Sequence, residues 1–137
     1  MASILVVDDE KSFRDLIEDI LEADGHRAVA VGSAIGALRL CRRRQFDLIT
    51  TDLMMPEMDG LELIRALRVT GCRTPVLIIS GTGQFLPIAK LLGAEVLSKP
   101  FEFVELLAAI DRCLGTSLPE ILQKSPARTK QRLNKGV

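Results

Sequence analysis

The sequence predicts an α/β fold, in which helices cover both faces of a five-stranded parallel sheet. Short apolar runs alternate with longer segments whose apolar residues recur at helical spacing. The first run, Ile4–Val7, is apolar at every position, which is typical of a strand covered on both faces. With 137 residues, 47% of them hydrophobic, the chain has enough length for one domain with one core. Regular alternation of this kind indicates a doubly wound sheet.

The predicted strands are short and bounded by polar or turn residues. They cover Ile4–Val7, Ala28–Val31, Leu48–Thr51, Val76–Ser80 and Val96–Ser98. Right-handed crossovers leave few ways to connect them, and we expect the flavodoxin-like strand order 2-1-3-4-5. In that order the first and third strands are neighbours at the point where the direction of winding reverses.

Each predicted helix follows one strand. The helices cover Lys11–Ala23, a segment capped by Ser33 that runs to about Arg43, Leu61–Val69, a segment from near Pro87 to Gly93, and Phe101–Leu114. Helical spacing predicts that the apolar residues face inward. The expected inward residues are Phe13, Leu16, Ile17, Ile20 and Leu21, then Ile35, Leu38 and Cys41, then Leu61, Ile64 and Leu67, and finally Phe103, Val104, Leu107, Ala108 and Ile110.

Chemically active side chains stand at the ends of four predicted strands. Asp8 and Asp9 follow the first, Asp52 follows the third, Ser80 ends the fourth and Lys99 follows the fifth. The carboxyl ends of parallel strands converge on one crevice, so these groups should meet. Three neighbouring carboxylates need a cation, and oxygen ligands suit Mg²⁺. The adjacent hydroxyl and ammonium suggest that one carboxylate becomes phosphorylated.

Several strings, in this order, resemble the receiver domain of bacterial two-component response regulators. They are Val-Val-Asp8-Asp9-Glu10, Asp52-Leu-Met-Met-Pro56-Glu-Met-Asp59-Gly60, Ser80-Gly-Thr, Gly93-Ala94 and Lys99-Pro100-Phe101. The resemblance covers residues 3 to about 114. We expect a receiver domain over residues 1–115, a basic and disordered tail over 116–137, and a stand-alone receiver because no effector motif follows.

The resemblance implies a role for each site residue. Asp52 would accept a phosphoryl group from a histidine kinase or histidine phosphotransfer protein. Asp9, Asp52 and the Met54 backbone carbonyl would bind Mg²⁺, with Asp8 acting indirectly, through water or by orienting the site. Ser80 and Lys99 would contact phosphoryl oxygens. The resemblance also implies a cis peptide bond between Lys99 and Pro100, and a kinase contact near Phe13, Arg14, Leu16 and Ile17, although core packing is the favoured interpretation of Leu16.

Two features depart from the receiver pattern. Val96 stands where the family commonly has Tyr or Phe, and the segment Gly81–Leu92 is short. Valine cannot make the rotamer swing of an aromatic ring. We therefore expect activation to remodel the loop Gly81–Leu86.

Composition narrows the remaining possibilities. Residues 1–114 hold 17 acidic and 13 basic side chains, whereas the remaining residues hold one acidic and five basic. There is no apolar stretch near the ~18 residues of a membrane helix and no signal-peptide pattern, so we expect a cytoplasmic protein with no membrane partner. Three scattered cysteines and one histidine provide no zinc motif.

Three alternative functions stay open at this stage. A phosphohydrolase with an aspartyl nucleophile would need an acid two residues after Asp52, where Met54 stands, and we expect no enzyme. A pseudo-receiver would bind partners without phosphoryl transfer. Nucleic-acid binding by the tail would depend on five charges without aromatic residues, so a solvated tail is favoured. The downstream protein target is not identifiable from the sequence.

Overall fold

A computed structural model describes residues 1–81 and 86–116 and confirms the α/β architecture. The strands are β1 (Ser3–Val7), β2 (Arg27–Val31), β3 (Leu48–Asp52), β4 (Val76–Ser80) and β5 (Ala94–Ser98). The helices are α1 (Lys11–Ala23), α2 (Ala34–Cys41), α3 (Gly60–Val69), α4 (Leu86–Leu91) and α5 (Phe103–Thr116). Strands and helices alternate along the chain as predicted, with bounds shifted by a few residues.

The sheet is parallel and has the predicted order β2-β1-β3-β4-β5. Val7, the last residue of β1, pairs with Thr51 of β3. Asp52, the last residue of β3, pairs with Ile79 of β4. These registers align the carboxyl ends of the central strands, so the residues that follow β1 and β3 meet at one edge of the sheet.

Two apolar layers hold the helices against the sheet. On one face, β1 and β3 residues pack with α2 and α3 through a cluster that includes Leu5, Ile49, Leu63, Ile64 and Leu67. On the other face, a cluster with α1 and α5 includes Ile4, Val6, Ile17, Leu106 and Ile110. Since alternate residues of a strand point to opposite faces, the apolar character of β1 at every position provides side chains to both layers.

Side-chain caps fix the start of two helices. The Ser33 hydroxyl accepts a hydrogen bond from the Gly36 amide at 3.1 Å, which confirms the predicted cap of α2. At α3, an Asp59 carboxylate oxygen accepts from the Glu62 amide at 2.8 Å, and the Glu62 carboxylate accepts from the Asp59 amide at 2.9 Å. This reciprocal pair is a capping box, which fixes where α3 begins after the β3 turn.

Several predicted inward residues face outward. Leu16 is 43% exposed, Phe103 is 60% exposed and Val104 is 68% exposed; Ile35 and Ala108 are also exposed. In α5 the predicted Ile110 is buried, together with Leu106, Ala109 and Cys113, which were not predicted. The prediction selected the apolar residues of the helix, whereas the angle at which the helix docks on the sheet decides which stripe is buried.

The two departures from the receiver pattern are the short segment around the fourth helix and Val96. The fourth helix is indeed short, with six residues. Val96 is half-buried and packs against the core cluster beneath α2 and α3. The predicted remodelling of Gly81–Leu86 falls largely on residues outside the described ranges, as does the expected tail beyond residue 116. The cis peptide bond between Lys99 and Pro100 is present as expected.

Candidate functional site

Three carboxylates meet at the carboxyl edge of the sheet, as the strand order requires. Asp8 follows β1, Asp9 is its neighbour and Asp52 ends β3. One oxygen from each lies within 4.8 Å of the others. Asp8 is buried, Asp52 is half-buried and Asp9 is exposed, so the cluster opens to solvent on the side of Asp9. The prediction that these residues come together is confirmed.

Asp8 is the most enclosed of the three acids. It is 3% exposed, and one of its carboxylate oxygens accepts a hydrogen bond from the Glu10 amide at 2.9 Å. Burial raises the pKa of the Asp8 carboxyl, the Glu10 amide opposes that shift, and the negative charge of Asp52 raises the pKa further. A cation bound at the cluster would stabilise the negative form and oppose this shift.

Asp52 lies between an ammonium and a backbone amide. Its Oδ2 atom is 3.6 Å from Lys99 Nζ, and its Oδ1 atom accepts a 3.4 Å hydrogen bond from the Met54 amide. The Asp52 side chain is 16% exposed and that of Lys99 is 29% exposed. The carboxylate is thus held by its neighbours yet reachable from solvent, which an attacking group needs.

An aromatic ring of α1 contacts the ammonium of the Lys99 side chain. The ammonium lies 4.2 Å from the centroid of the Phe13 ring. Phe13 in turn contacts Phe101 edge to face, with centroids 6.2 Å apart. A cation over an aromatic face is attracted by the ring quadrupole. Helix α1 therefore contributes to the position of a lysine that follows β5.

Ser80 and Met54 occupy the two remaining positions of the predicted site. Ser80 ends β4, is 1% exposed, and its carbonyl accepts a 2.8 Å hydrogen bond from the Lys99 amide. That bond joins the ends of β4 and β5 next to Asp52. Met54 is 67% exposed in the turn after β3. The phosphoryl contact of Ser80 and the metal contact of the Met54 carbonyl stay predictions.

The turn that carries Asp52 into α3 is closely packed. The Gly60 amide donates to the Leu53 carbonyl at 2.9 Å. A Cβ atom at Gly60 would lie 2.5 Å from the Asp52 carbonyl oxygen and 3.1 Å from Leu53 Cα. Only glycine allows the first turn of α3 to approach the backbone of Asp52 this closely. The glycine thereby fixes the position of the acid at the end of β3.

The donor set fits a hard divalent cation. Carboxylate oxygens are the ligands that Mg²⁺ prefers, and Mg²⁺ keeps part of its water shell, so a cluster open on one side suits it better than a closed cage. The ammonium of Lys99 lies near one of the three acids, Asp52. Asp9, Asp52 and the Met54 carbonyl are the candidate direct ligands, with Asp8 as the candidate indirect one.

Three contributors were not identified as site residues from the sequence. Phe13 contacts Lys99, Gly60 packs against Asp52, and the Arg14 guanidinium donates a 2.8 Å hydrogen bond to the Asp8 carbonyl. Of these three, only Gly60 had a local signal in the sequence, because it directly follows the helix cap Asp59. The contacts of Phe13 and Arg14 depend on how α1 docks. Of the residues proposed for a kinase contact, Ile17 is buried and Leu16 is exposed, so core packing is wrong for Leu16.

Comparison with known families identifies the same segment of the chain. The family model described as "Response regulator receiver domain" matches residues 4–111. One curated relative, "Response regulator MprA" of Mycobacterium sp. (strain KMS), is 34% identical over 129 residues, covering 92% of this chain and 56% of the relative. The chain thus spans about half the length of that relative.

Two solved structures share the fold closely. The receiver domain of the Francisella response regulator 1452 has a TM-score of 0.79 and 28% identity, and the match covers 86% of this chain and all of that one. The receiver domain of sensor histidine kinase PA1611 from Pseudomonas aeruginosa PAO1 has a TM-score of 0.74 and 29% identity, covering 84% and 98%. That structure has a magnesium ion coordinated in its active site cleft. In our structure, none of the helices in the described ranges has the length and hydropathy to cross a membrane.

Proposed function

This chain belongs to the response regulator receiver domain family, and from that premise we propose that it is a phosphorylation-dependent signalling switch. Asp52 accepts a phosphoryl group from a histidine kinase or histidine phosphotransfer protein. The single observation that supports this best is the position of Lys99 Nζ, 3.6 Å from Asp52 Oδ2, beside three carboxylate oxygens within 4.8 Å of one another. An acid cluster with one lysine at the nucleophile suits binding and neutralising a phosphoryl group.

The proposed transfer is a displacement at phosphorus. An Asp52 carboxylate oxygen forms a bond to phosphorus while the phosphorus–nitrogen bond of the donor phosphohistidine breaks. The nitrogen keeps the electron pair and takes up a proton. The product is an acyl phosphate on Asp52, and water later hydrolyses it back to carboxylate and inorganic phosphate. Because the product is labile, the signal is reversible.

The residues around Asp52 have different roles in this transfer. Lys99 pairs with one phosphoryl oxygen as a compact positive charge, and the Ser80 hydroxyl donates to another. Asp9, Asp52 and the Met54 carbonyl hold Mg²⁺, with Asp8 acting indirectly. When bound, Mg²⁺ neutralises charge on the transferring group. The chain's own residues therefore position the nucleophile and bind the oxygens.

We propose that the output is a protein contact and that the chain is a switch or a phosphate relay without a catalytic activity of its own. Met54 stands where an aspartyl phosphohydrolase would need an acid. The kinase and the downstream target are protein partners whose identity needs experiment, and the proposed location is the cytoplasm.

Phosphorylation from a small donor tests the proposal. The full chain is incubated with acetyl phosphate and Mg²⁺, and the intact mass is read. We expect one phosphoryl adduct that disappears with a chelator and with Asp52→Asn. The matched control is Asp111→Asn, an exposed acid on α5, which should keep the adduct.

If no adduct forms, a second measurement distinguishes the possible reasons. Beryllofluoride, a mimic of the phosphoryl group, should bind with Mg²⁺ and shift the amide signals of residues after β3 and β5. A wild-type chain that neither forms the adduct nor binds beryllofluoride would contradict the proposal and leave the pseudo-receiver interpretation. Beryllofluoride binding without an adduct would instead support an acceptor that is loaded only by its own kinase.

A further inference from the structure

A cavity of about 610 Å³ lies near the start of β3, at the end of that strand remote from Asp52. It is bounded by the C-terminal ends of α2 and α3 and by the segments that lead into β3 and β4. Its apolar lining includes the buried side chains of Phe46 and Leu67 and the half-buried Leu38 and Ala66. The volume lies in the range typical of small-molecule sites, roughly 300–1,000 Å³.

The walls of this cavity are held by internal hydrogen bonds. The Arg68 guanidinium donates to the carbonyl of Cys72 at 3.0 Å and to that of Thr74 at 2.8 Å. The Thr74 hydroxyl donates to the Phe46 carbonyl at 3.3 Å, which joins the segment before β4 to the segment before β3. The cavity is therefore formed before any ligand enters, which reduces the ordering cost of binding.

Three exposed arginines, Arg42, Arg44 and Arg73, stand among the lining residues, and the lining contains no carboxylate. Across residues 1–81 and 86–116, none of the three makes an ion pair. The Arg44 guanidinium lies over the Phe46 ring, 5.0 Å from its centroid.

The helix ends account for part of this positive charge. Arginines near a helix C-terminus complement the macrodipole, which places the equivalent of about −0.5 charge at the C-terminus of each helix. Two helix ends offset about one of the three positive charges, so about two remain. The surplus positive charge surrounds an apolar cavity.

We propose that this cavity binds a small organic anion, in which a carboxylate, sulfonate or phosphate group is attached to an apolar body. The apolar body contacts Leu38, Ala66 and Leu67, and the anionic group lies among the guanidiniums, whose planar donors match such oxygens. The assignment does not depend on phosphoryl chemistry at Asp52.

A matched pair of fluorescent probes tests the assignment on the full chain. The anionic probe is 1-anilinonaphthalene-8-sulfonate, and the neutral probe is N-phenyl-1-naphthylamine, which keeps the aromatic body without the sulfonate. The chain has no Trp or Tyr, so probe emission is read without overlap. Replacing the three cavity arginines together by Gln should weaken anionic-probe binding by about tenfold or more, because three charge contacts are lost.

The matched control replaces three exposed arginines that do not line the cavity, and should change the affinity by less than about twofold because their guanidiniums make no contact with the bound anionic group. That variant is Arg27→Gln, Arg39→Gln and Arg65→Gln. Neutral-probe binding should be unchanged by either set. Ala66→Phe, which fills the cavity without altering charge, should abolish binding of both probes.

The location of the probe decides between this cavity and other apolar surfaces. Amide signals of Phe46 and Cys72 should shift on titration with the anionic probe. Shifts confined to Leu16 and Phe103, which line a groove between α1 and α5, would overturn the assignment. Equal weakening by the two arginine sets, or loss of the neutral probe with the cavity arginines alone, would overturn it too.

Discussion

Removing the buried negative charge of the acid cluster should stabilise the metal-free protein. The substitution is Asp8→Asn, which keeps the shape of the side chain and an oxygen that accepts the 2.9 Å hydrogen bond from Glu10. The carboxylate oxygens lie within 4.8 Å of one another, and at that limiting distance two unit charges repel by about 3.5 kcal/mol at an effective dielectric constant of 20 and by about 1 kcal/mol in bulk water. Asp9 is exposed and Lys99 offsets part of the repulsion, so we expect a net gain of about 1–2 kcal/mol.

Magnesium should reverse that advantage. A ligand that binds only the native state stabilises it by about 2.7 kcal/mol at a concentration of 100 times Kd. If an indirect ligand such as Asp8 is worth roughly 10- to 100-fold in metal affinity, the same Mg²⁺ stabilises the variant by about 1.3–2.3 kcal/mol less than the wild type. Asp8→Asn should therefore be the more stable protein in a chelator, and should lose most or all of its advantage in Mg²⁺.

Urea unfolding followed by circular dichroism measures both effects, because the chain has no Trp or Tyr for intrinsic fluorescence. The matched control is Asp111→Asn on the exposed side of α5, which should change stability by less than about 0.5 kcal/mol in either buffer. Destabilisation by Asp8→Asn in the chelator would refute the charge-repulsion reasoning. Equal stabilisation of both proteins by Mg²⁺ would refute the role of Asp8 in metal binding.

Three further predictions concern single side chains. Gly60→Ala should lower the free energy of unfolding by about 1–3 kcal/mol, because its Cβ would lie 2.5 Å from a backbone oxygen. The control Gly115→Ala, whose Cβ would have no atom within 4 Å, should not lower it. Equal stabilities of the two variants in thermal unfolding would contradict this. Phe13→Leu should slow phosphorylation by acetyl phosphate about two- to fivefold at unchanged Mg²⁺ affinity, because a cation–π contact with Lys99 worth about 0.5–1 kcal/mol is lost. Phe13→Tyr keeps the ring and should keep the wild-type rate. An unchanged rate in Phe13→Leu would show that the ring does not position the lysine. Burial, aided by the Glu95 charge, raises the pKa of the Cys113 thiol to about 12. Cys113 of the native protein should therefore react with iodoacetamide at pH 8 far more slowly than Cys113 of the protein unfolded in urea. Equal rates of modification, measured by peptide mass, would count against its burial.

The sheet and the acid cluster were predictable because both depend on features that are local in the sequence. Apolar runs identify the strands, and the rule that ligands meet at the carboxyl ends of strands then joins Asp8 to Asp52. The register of β1 and β3 pairs Val7 with Thr51, the residues just before those acids. A carboxylate pair at two strand ends therefore becomes one site as soon as the strand order is known.

Helix faces were harder to predict because docking, and not composition, decides them. Helix α5 is apolar around much of its circumference, so Phe103 and Val104 were as reasonable as Leu106 when only spacing was considered. Leu106 is buried, whereas the other two are exposed.

Contacts that cross the fold were also beyond the reach of sequence patterns. Phe13 has the spacing of an ordinary core residue of α1, and its position over the Lys99 ammonium depends on where α1 packs relative to β5. Gly60 was part of a recognised motif, yet its closeness to the Asp52 carbonyl depends on the path of the turn after β3. Both residues support the site without any acidic or basic group that would draw attention to them.

The most direct test of the central claim is to locate the phosphoryl group in the chain. The protein is treated with acetyl phosphate and Mg²⁺, the acyl phosphate is reduced with borohydride to the corresponding alcohol, and peptides are sequenced by mass spectrometry. We predict that the reduced residue is Asp52 alone, and that Lys99→Gln lowers its yield. Modification at Asp8 or Asp9 instead, or an equal yield without Mg²⁺, would contradict the account.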